Sequence, residues 1–337
     1  MRNYIIARIL LNIPVILLVM TLVFVVTRIG SDYAEKTAAG GVTGSGSFEE
    51  AVEQIRRQIG TDKPTFFVSC ELDESLCSWH WDNQYKNFMF DIFQGDFGDS
   101  LVTRRTVWDE IKARLPASIE LGILEVMVAI TVAVPIGIIS AIRQDTMPDY
   151  VLRIFAILGQ AIPSFYLGVL FLLAASNWFG WIPPLTATDY QEIWEDPRAN
   201  LQQMLLPALA GGLAIGAGIM RLLRSQLLEV LRQDYVRTAW SKGLRERTVV
   251  MRHVVKNGLI PVITVVGLLL AGLFSGNIVL ESLFGIPGIG ALSVIAMRQT
   301  DQPLIYGIVI VSAVGLVFIN LLVDIAYAMI DPRIRYG

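Results

Sequence analysis

Long stretches without a charged side chain recur along the chain. Ile9–Thr27 runs between Arg8 and Arg28, Leu201–Met220 ends at Arg221, Asn257–Leu280 lies between Lys256 and Glu281, and Gln302–Val323 lies between Asp301 and Asp324. Ile154–Thr188 separates Arg153 from Asp189, its apolar part ending near Trp178, and Pro116–Ile142 is apolar apart from Glu120 and Glu125 near one end. A helix crossing about 30 Å of hydrocarbon needs around 20 mostly apolar residues. Backbone polar groups in lipid must pair within their own segment, so these runs predict helices and not open strands. The expected fold class is an all-α integral membrane protein with six transmembrane helices. The first run has 19 uncharged residues, longer than the roughly 7–15-residue core of a signal peptide, and no A-x-A site follows it. Residues 1–29 are therefore expected to remain as an N-terminal transmembrane anchor.

Composition agrees with this pattern. Of 337 residues, 54% are apolar and 17% charged, against roughly 25% charged in soluble domains. Mean hydropathy is +0.56. A soluble enzyme, a disordered chain and a collagen-like chain are all excluded. The net charge of −3 says less than where the charges fall. Fifteen Lys and Arg residues lie at the N-terminus (Arg2, Arg8), in the 143–153 loop, in the 221–256 loop and in the tail (Arg333, Arg335), against two, Arg198 and Arg298, in the alternate short loops. This bias predicts that both termini and the 221–256 loop are cytoplasmic and that 30–115 is a long extracytoplasmic loop region.

In that outer region, Thr37–Ser47 has the composition of a flexible linker. Ser47 suits an N-cap for a short helix, Phe48–Ile59, closed by Gly60. The aromatic run Tyr85–Phe93 suits an amphipathic element at the membrane surface. Cys70 and Cys77 are a disulfide candidate on the oxidising side; two free thiols, or a metal site with His80, are the other readings. Trp79, Trp81 and Phe88 read as interfacial anchors or as substrate or partner contacts.

The 221–256 loop carries nine basic and three acidic residues. An ordinary positive-inside loop near anionic lipid explains that charge. It does not explain the order Asp234-Tyr235-Val236-Arg237-Thr238-Ala239-Trp240-Ser241-Lys242-Gly243-Leu244. Val236, Ala239 and Trp240 repeat at three and four, predicting a short helix that Gly243 ends. The small side chain of Ala239 allows close approach to another surface. The segment is expected to be a helix–turn–helix knuckle.

This run resembles the cytoplasmic coupling loop of permease subunits in binding-protein-dependent ABC importers, and most closely the B-type permeases of the peptide/oligopeptide/nickel group. That group reads D-Y-V-R-T-A-x-x-K-G, as Asp234–Gly243 does here, with Arg237 and Thr238 replacing the Glu and first Ala of the generic E-A-A-x3-G pattern. His253, Asn257, Ile260-Pro261, Gly95-Asp96-Phe97-Gly98-Asp99-Ser100, Arg114-Leu115-Pro116, Ile162-Pro163-Ser164-Phe165, Glu281, Phe284, Pro287-Gly288-Ile289-Gly290 and Asp331-Pro332-Arg333 also match. The resemblance implies a multi-pass permease of the prokaryotic inner membrane, importing peptides, nickel chelates or oligosaccharides. Its implied partners are a homologous second permease, two cytoplasmic ATPase subunits, an extracytoplasmic solute-binding protein and membrane lipid, with no nucleic acid. It implies an ATPase-coupling role for Asp234, Tyr235, Arg237, Thr238, Ala239, Lys242, Gly243 and Leu244. The implied organisation is an importer core over 116–330 containing the 221–256 coupling loop, then a cytoplasmic tail over 331–337.

No Gly precedes any Lys, so the chain lacks the G-K-[ST] of a P-loop. No catalytic residue, bound cofactor or metal site is expected in this chain, which is no enzyme; ATP and Mg belong to partner subunits. Glu125 and Glu281 have two readings, structural carboxylates near an interface or pathway lining. As structural groups they are expected to stay wet or to meet an arginine such as Arg114. Gly267, Gly272 and Gly276 are expected to allow close helix packing, and Pro135 and Pro163 to bend their spans. The alternative function is a secondary transporter or channel independent of ATP. It calls for midplane ion ligands or repeated broken helices, and the sequence displays neither. An intramembrane hydrolase is not favoured, since no G-x-S-x-G occurs.

Overall fold

The computed structural model describes residues 2–29, 56–57, 63–70 and 77–330. Apart from one two-stranded ribbon, β1 (Val68–Cys70) with β2 (Cys77–Trp79), these residues are almost all helical. The helices are α1 (Arg2–Ile29), α2 (Gln84–Phe93), α3 (Val107–Ile142), α4 (Met147–Ala161), α5 (Ser164–Phe179), α6 (Pro197–Leu231), α7 (Asp234–Ser241), α8 (Glu246–Gly258), α9 (Ile260–Ala271), α10 (Ile278–Phe284), α11 (Ile289–Arg298) and α12 (Gln302–Ile330). Among the described residues, α1, α3, α6 and α12 are each long and apolar enough to cross a membrane.

Three further pairs pass only together, and each is bent: α4–α5 by 106°, α8 with α9 and its following turn by 45°, and α10–α11 by 89°. The bend at Pro163 is the one expected there, whereas the other two are breaks that the sequence does not display and are a correction. One has a plain cause. Pro163 caps α5 in extended geometry (ψ 141°), and the residue before a proline is pushed out of the α region, as Ile162 is at ψ 124°. Pro135, by contrast, sits inside an uninterrupted α3. The α10–α11 pair is an apolar element that the six uncharged runs do not separate.

Two compact units are present. The first comprises Met1–Leu115 and Leu292–Val317. Its core joins Met20, Val23 and Ile310 with Phe88, Met89, Ile92 and Tyr306. The Tyr85–Phe93 run forms α2, capped by Asn83, whose Oδ1 accepts from Lys86 N–H at 2.8 Å. Phe24 of α1 is fully buried, with the rings of Tyr85 and Phe88 centred 5.2 and 5.3 Å away. The Gly95–Ser100 turn is held by Asp301, which is fully buried and accepts from Ser100 Oγ at 2.5 Å and Leu101 N–H at 3.2 Å. Asp301→Asn keeps one acceptor and removes the other, so it is expected to cost about 1–2 kcal/mol, read as a lower thermal midpoint in detergent.

The second unit comprises Pro116–Ala291 and Phe318–Gly337. One core cluster is built on Leu121, Met204, Leu280 and Phe284, and another on Ala129, Ile219, Leu223, Leu227 and the valines of α8. Helix α6 lies close on α3: a Cβ at Gly212 would stand 2.6 Å from Val128 Cβ, closer than real side chains approach. Gly267 does permit close packing, since a Cβ there would meet Val323 Cγ1 at 2.5 Å. Gly272 faces open space, and Gly276 (φ +67°) serves a turn, so the three glycines do not form one packing stripe.

Candidate functional site

Helix α6 does not end where its apolar run ends. It continues past Arg221 to Leu231, because Arg, Leu, Gln and Glu are good helix formers. The expected 221–256 loop is therefore mostly helical, with residues 232–233 and 242–245 as its only non-helical positions. The turns from Arg221 to Leu231 carry the chain about 16 Å beyond the apolar stretch. Their base is pinned by Asp149 of α4, which is fully buried. Its carboxylate takes Arg224 Nε and Nη2 at 2.9 and 2.8 Å and Ser140 Oγ at 2.5 Å. By sequence Arg224 is one of the loop charges; only the fold pairs it with a residue 75 positions away.

At the tip, Gln233 is extended and α7 turns back. Val236 is fully buried and Ala239 is 5% exposed. Both belong to the cluster of Leu223, Leu227, Val249, Val250, Val254 and Val255. The small size of Ala239 thus serves packing inside this chain. Residues 249–255 form a π-helical stretch of α8 whose four valines seat α7; such stretches mark local departures from regular helix, frequently at functional sites. Asn257 Nδ2 donates to Tyr235 OH at 2.9 Å, tying α7 to α8.

The other face of the knuckle is open. Asp234, Tyr235, Arg237, Thr238, Trp240, Ser241, Lys242, Gly243 and Leu244 are all exposed. Thr238 and Ser241 turn their hydroxyls back to the carbonyls of Asp234 and Arg237, at 2.9 and 3.0 Å. Arg237 and Asp234 lie 3.6 Å apart in solvent, a pairing worth little in itself. Gly243 has φ +71° and donates its N–H to Trp240 O at 2.9 Å, which closes the helix in the left-handed conformation glycine adopts without strain. The expected helix and its stop are both present. The result is a small, well-packed knob with an aromatic and basic outer face.

The carboxylates behave differently from the expectation that they stay wet or meet an arginine. Arg114 bonds Glu110 at 3.3 Å. Glu281 is fully buried and bound by neutral donors: Ser118 Oγ at 2.8 Å, Asn277 N–H at 2.9 Å and Ala291 N–H at 2.9 Å. Glycines 276 and 288 make room for it, since a Cβ at either would fall 2.4 or 2.3 Å from a carboxylate oxygen. Glu125, 6% exposed, accepts from Asn277 Nδ2 at 3.0 Å. Tyr190 OH donates to Glu120 at 2.8 Å. The first three donors come from positions 118, 277 and 291, a set that no local pattern brings together. These contacts hold the bend between α10 and α11.

The ribbon register sets Cys70 opposite Cys77 along the backbone; their side chains, and so the disulfide, lie outside the described residues. The Thr37–Ser47 linker and all but residues 56–57 of the expected Phe48–Ile59 helix lie there too, as does the tail over 331–337.

Residues 133–336 match the family described as binding-protein-dependent transport system inner membrane component. Along its whole length the chain is 35% identical to the glutathione transport system permease protein GsiC of Pectobacterium atrosepticum, with 100% of both chains covered. It is 34% identical to the proteins of the same name from Escherichia coli strain K12 and Shigella flexneri serotype 5b, again over 100% of both.

Proposed function

The chain belongs to the binding-protein-dependent inner-membrane transport components, as a permease subunit of an ABC importer of the peptide/nickel family, and from this we propose that α7 is the element through which ATPase subunits drive it. It is a transport component of the inner membrane and not a catalyst, and the ATP-independent transporter or channel is not favoured. The cargo reading that fits the relatives' printed names best is glutathione or a peptide of similar size.

In this proposal two cytoplasmic ATPases hydrolyse ATP with Mg, a homologous second permease completes the pathway, and an external binding protein delivers solute. The six spans are α1, α3, α4–α5, α6, α8–α9 and α12, with α10–α11 re-entering from the outer side. Residues 1–29 are the anchor, 30–115 the outer region, 116–330 the core and 331–337 the tail. Both termini and the knuckle are cytoplasmic.

The single observation that carries the coupling role is the knuckle itself. An exposed face of Tyr235, Arg237, Thr238, Trp240 and Lys242 stands on a packed base of Val236, Ala239 and the α8 valines. A slack loop would absorb a push from a partner; a knob whose rear face is core transmits it to α6 and α8, with which it packs. The force then reaches the spans because α6 is one continuous helix from Pro197 to Leu231. Coupling of this kind acts in both directions, so the transport state must in turn bias the ATPase.

The test is affinity purification of the full chain from its native operon. Recovery of an ATPase and a second permease, with the ATPase lost from a Trp240→Asp, Arg237→Glu variant, is the expected outcome. Recovery of the chain alone, with uptake intact, would contradict it.

A further inference from the structure

The cytoplasmic stretch of α6 borders a cleft that the coupling role does not use. It is a cavity of about 610 Å³ between α4 and α6, with Arg153, Arg221, Arg224 and Arg232 among its lining residues. Asp149 occupies Arg224 through two hydrogen bonds and also stands 3.7 Å from Arg153. Arg153 further lies 4.7 Å over the Tyr150 ring. Arg221 and Arg232 are exposed and make no ion pair among the described residues. Glu229 is the carboxylate on the lining itself. With Asp149 and Glu229 offsetting two of the four guanidiniums, the cleft keeps a positive balance.

Besides the polar Ser225 and Gln233, the lining has an apolar part, Ala156, Ile157, Met220 and Leu228. The adjoining face of α4 shows Ile154, Phe155 and Leu158, each at least half exposed. Arg221 is the first charged residue after the uncharged Leu201–Met220 run, which sets its guanidinium at the level where hydrocarbon gives way to headgroups, and Arg232 follows about three turns further toward the cytoplasm. A site that is apolar on one side and cationic on the other fits an amphiphile. A free anion would gain nothing from Ile157 and Met220.

We propose that this cleft binds the phosphodiester headgroup of an anionic membrane phospholipid, with Arg221 and Arg232 as its principal phosphate contacts and the α4–α6 apolar lining against its glycerol and upper acyl chain. The proposal rests on the orientation given above. Guanidinium forks suit phosphate oxygens because they donate two parallel hydrogen bonds, and basic pockets between helices at the cytoplasmic surface recognise acidic headgroups. Because α6 runs from this cleft directly to the Gln233 turn, the lipid steadies the foot of the knuckle.

The experiment uses the full chain, with the subunits it retains, in nanodiscs of phosphatidylcholine containing a minority of phosphatidylglycerol. Lipid that stays bound after extraction into mild detergent is quantified by native mass spectrometry. The wild type should retain phosphatidylglycerol well above its bulk share. An Arg221→Gln, Arg232→Gln variant should lose that preference roughly tenfold or more, whereas the Arg221→Lys, Arg232→Lys pair should keep most of it. Asp149 and Arg224 are untouched in both, and an unchanged thermal midpoint checks the fold. Retention at the bulk ratio, or the same preference in the Gln variant, overturns the proposal. So does displacement of the lipid by inorganic phosphate alone, which would mark a small-anion site, or a second permease chain that excludes lipid from the cleft. Each of these leaves uptake unaffected as a separate readout, so a failure here is distinguishable from a failure of the coupling role.

Discussion

Gly243→Pro is expected to abolish ATP-driven uptake while the chain stays in the membrane at normal abundance. Two physical losses coincide at this position. Gly243 sits at φ +71°, whereas a proline ring fixes φ near about −65°. Its N–H also donates to Trp240 O at 2.9 Å, and proline has no N–H to give. Together they cost on the order of 3 kcal/mol or more, concentrated on a knob only eight residues long. The knob's valine seat lies on α8, so the spans themselves have no reason to unfold. Gly243→Asn separates backbone from packing, because asparagine tolerates the left-handed region; that variant should keep most of the uptake. Gly243→Ala should fall between, at about 1–2 kcal/mol. Uptake assays in cells, normalised to membrane abundance by immunoblot, rank the three.

Glu281→Ala is expected to have the largest effect on stability. The carboxylate is fully buried and satisfies Ser118 Oγ, Asn277 N–H and Ala291 N–H. Truncation strands three buried donors, at about 1–3 kcal/mol each. Gly276 and Gly288, which face the carboxylate, have no side chain to fill the cavity left behind. Loss of several kcal/mol should appear as a sharply reduced yield of folded chain in mild detergent. Glu281→Gln keeps one oxygen and should recover part of it. Equal yields for wild type and Glu281→Ala would show that the α10–α11 bend is held by something else.

The two positions also show what the sequence could and could not reveal. Gly243 was legible because its role is local: a helix of period three and four, followed by glycine, says where the chain turns. The apolar runs were legible for the same reason, since crossing hydrocarbon imposes length and composition on a contiguous segment. The end of α6 was misjudged because Arg221 stops an apolar run without stopping a helix. The small side chain of Ala239 predicts close approach to another surface, and in the structure that surface is this chain's own core. A small residue favours close approach whichever surface comes near, and periodicity alone does not choose the surface. The environment of Glu281 was illegible for a different reason. A buried carboxylate looks like an exposed one until donors from distant positions converge on it. Arg224 follows the same rule, a loop charge by position and a half-buried partner of the buried Asp149 by fold. The sharp bend at Pro163 was half visible, since proline marks the break but not its angle.

The most direct measurement of the coupling role is a site-directed cross-link. A single cysteine at Thr238, in a background lacking Cys70 and Cys77, carries a short bifunctional reagent in inverted membrane vesicles. The expected product joins this chain to an ATPase subunit, and its yield changes when ATP is added. A cysteine that reacts only with an impermeant reagent applied to the outer side of intact cells, or one that gives no ATPase product while ATP-driven uptake proceeds, would contradict the account.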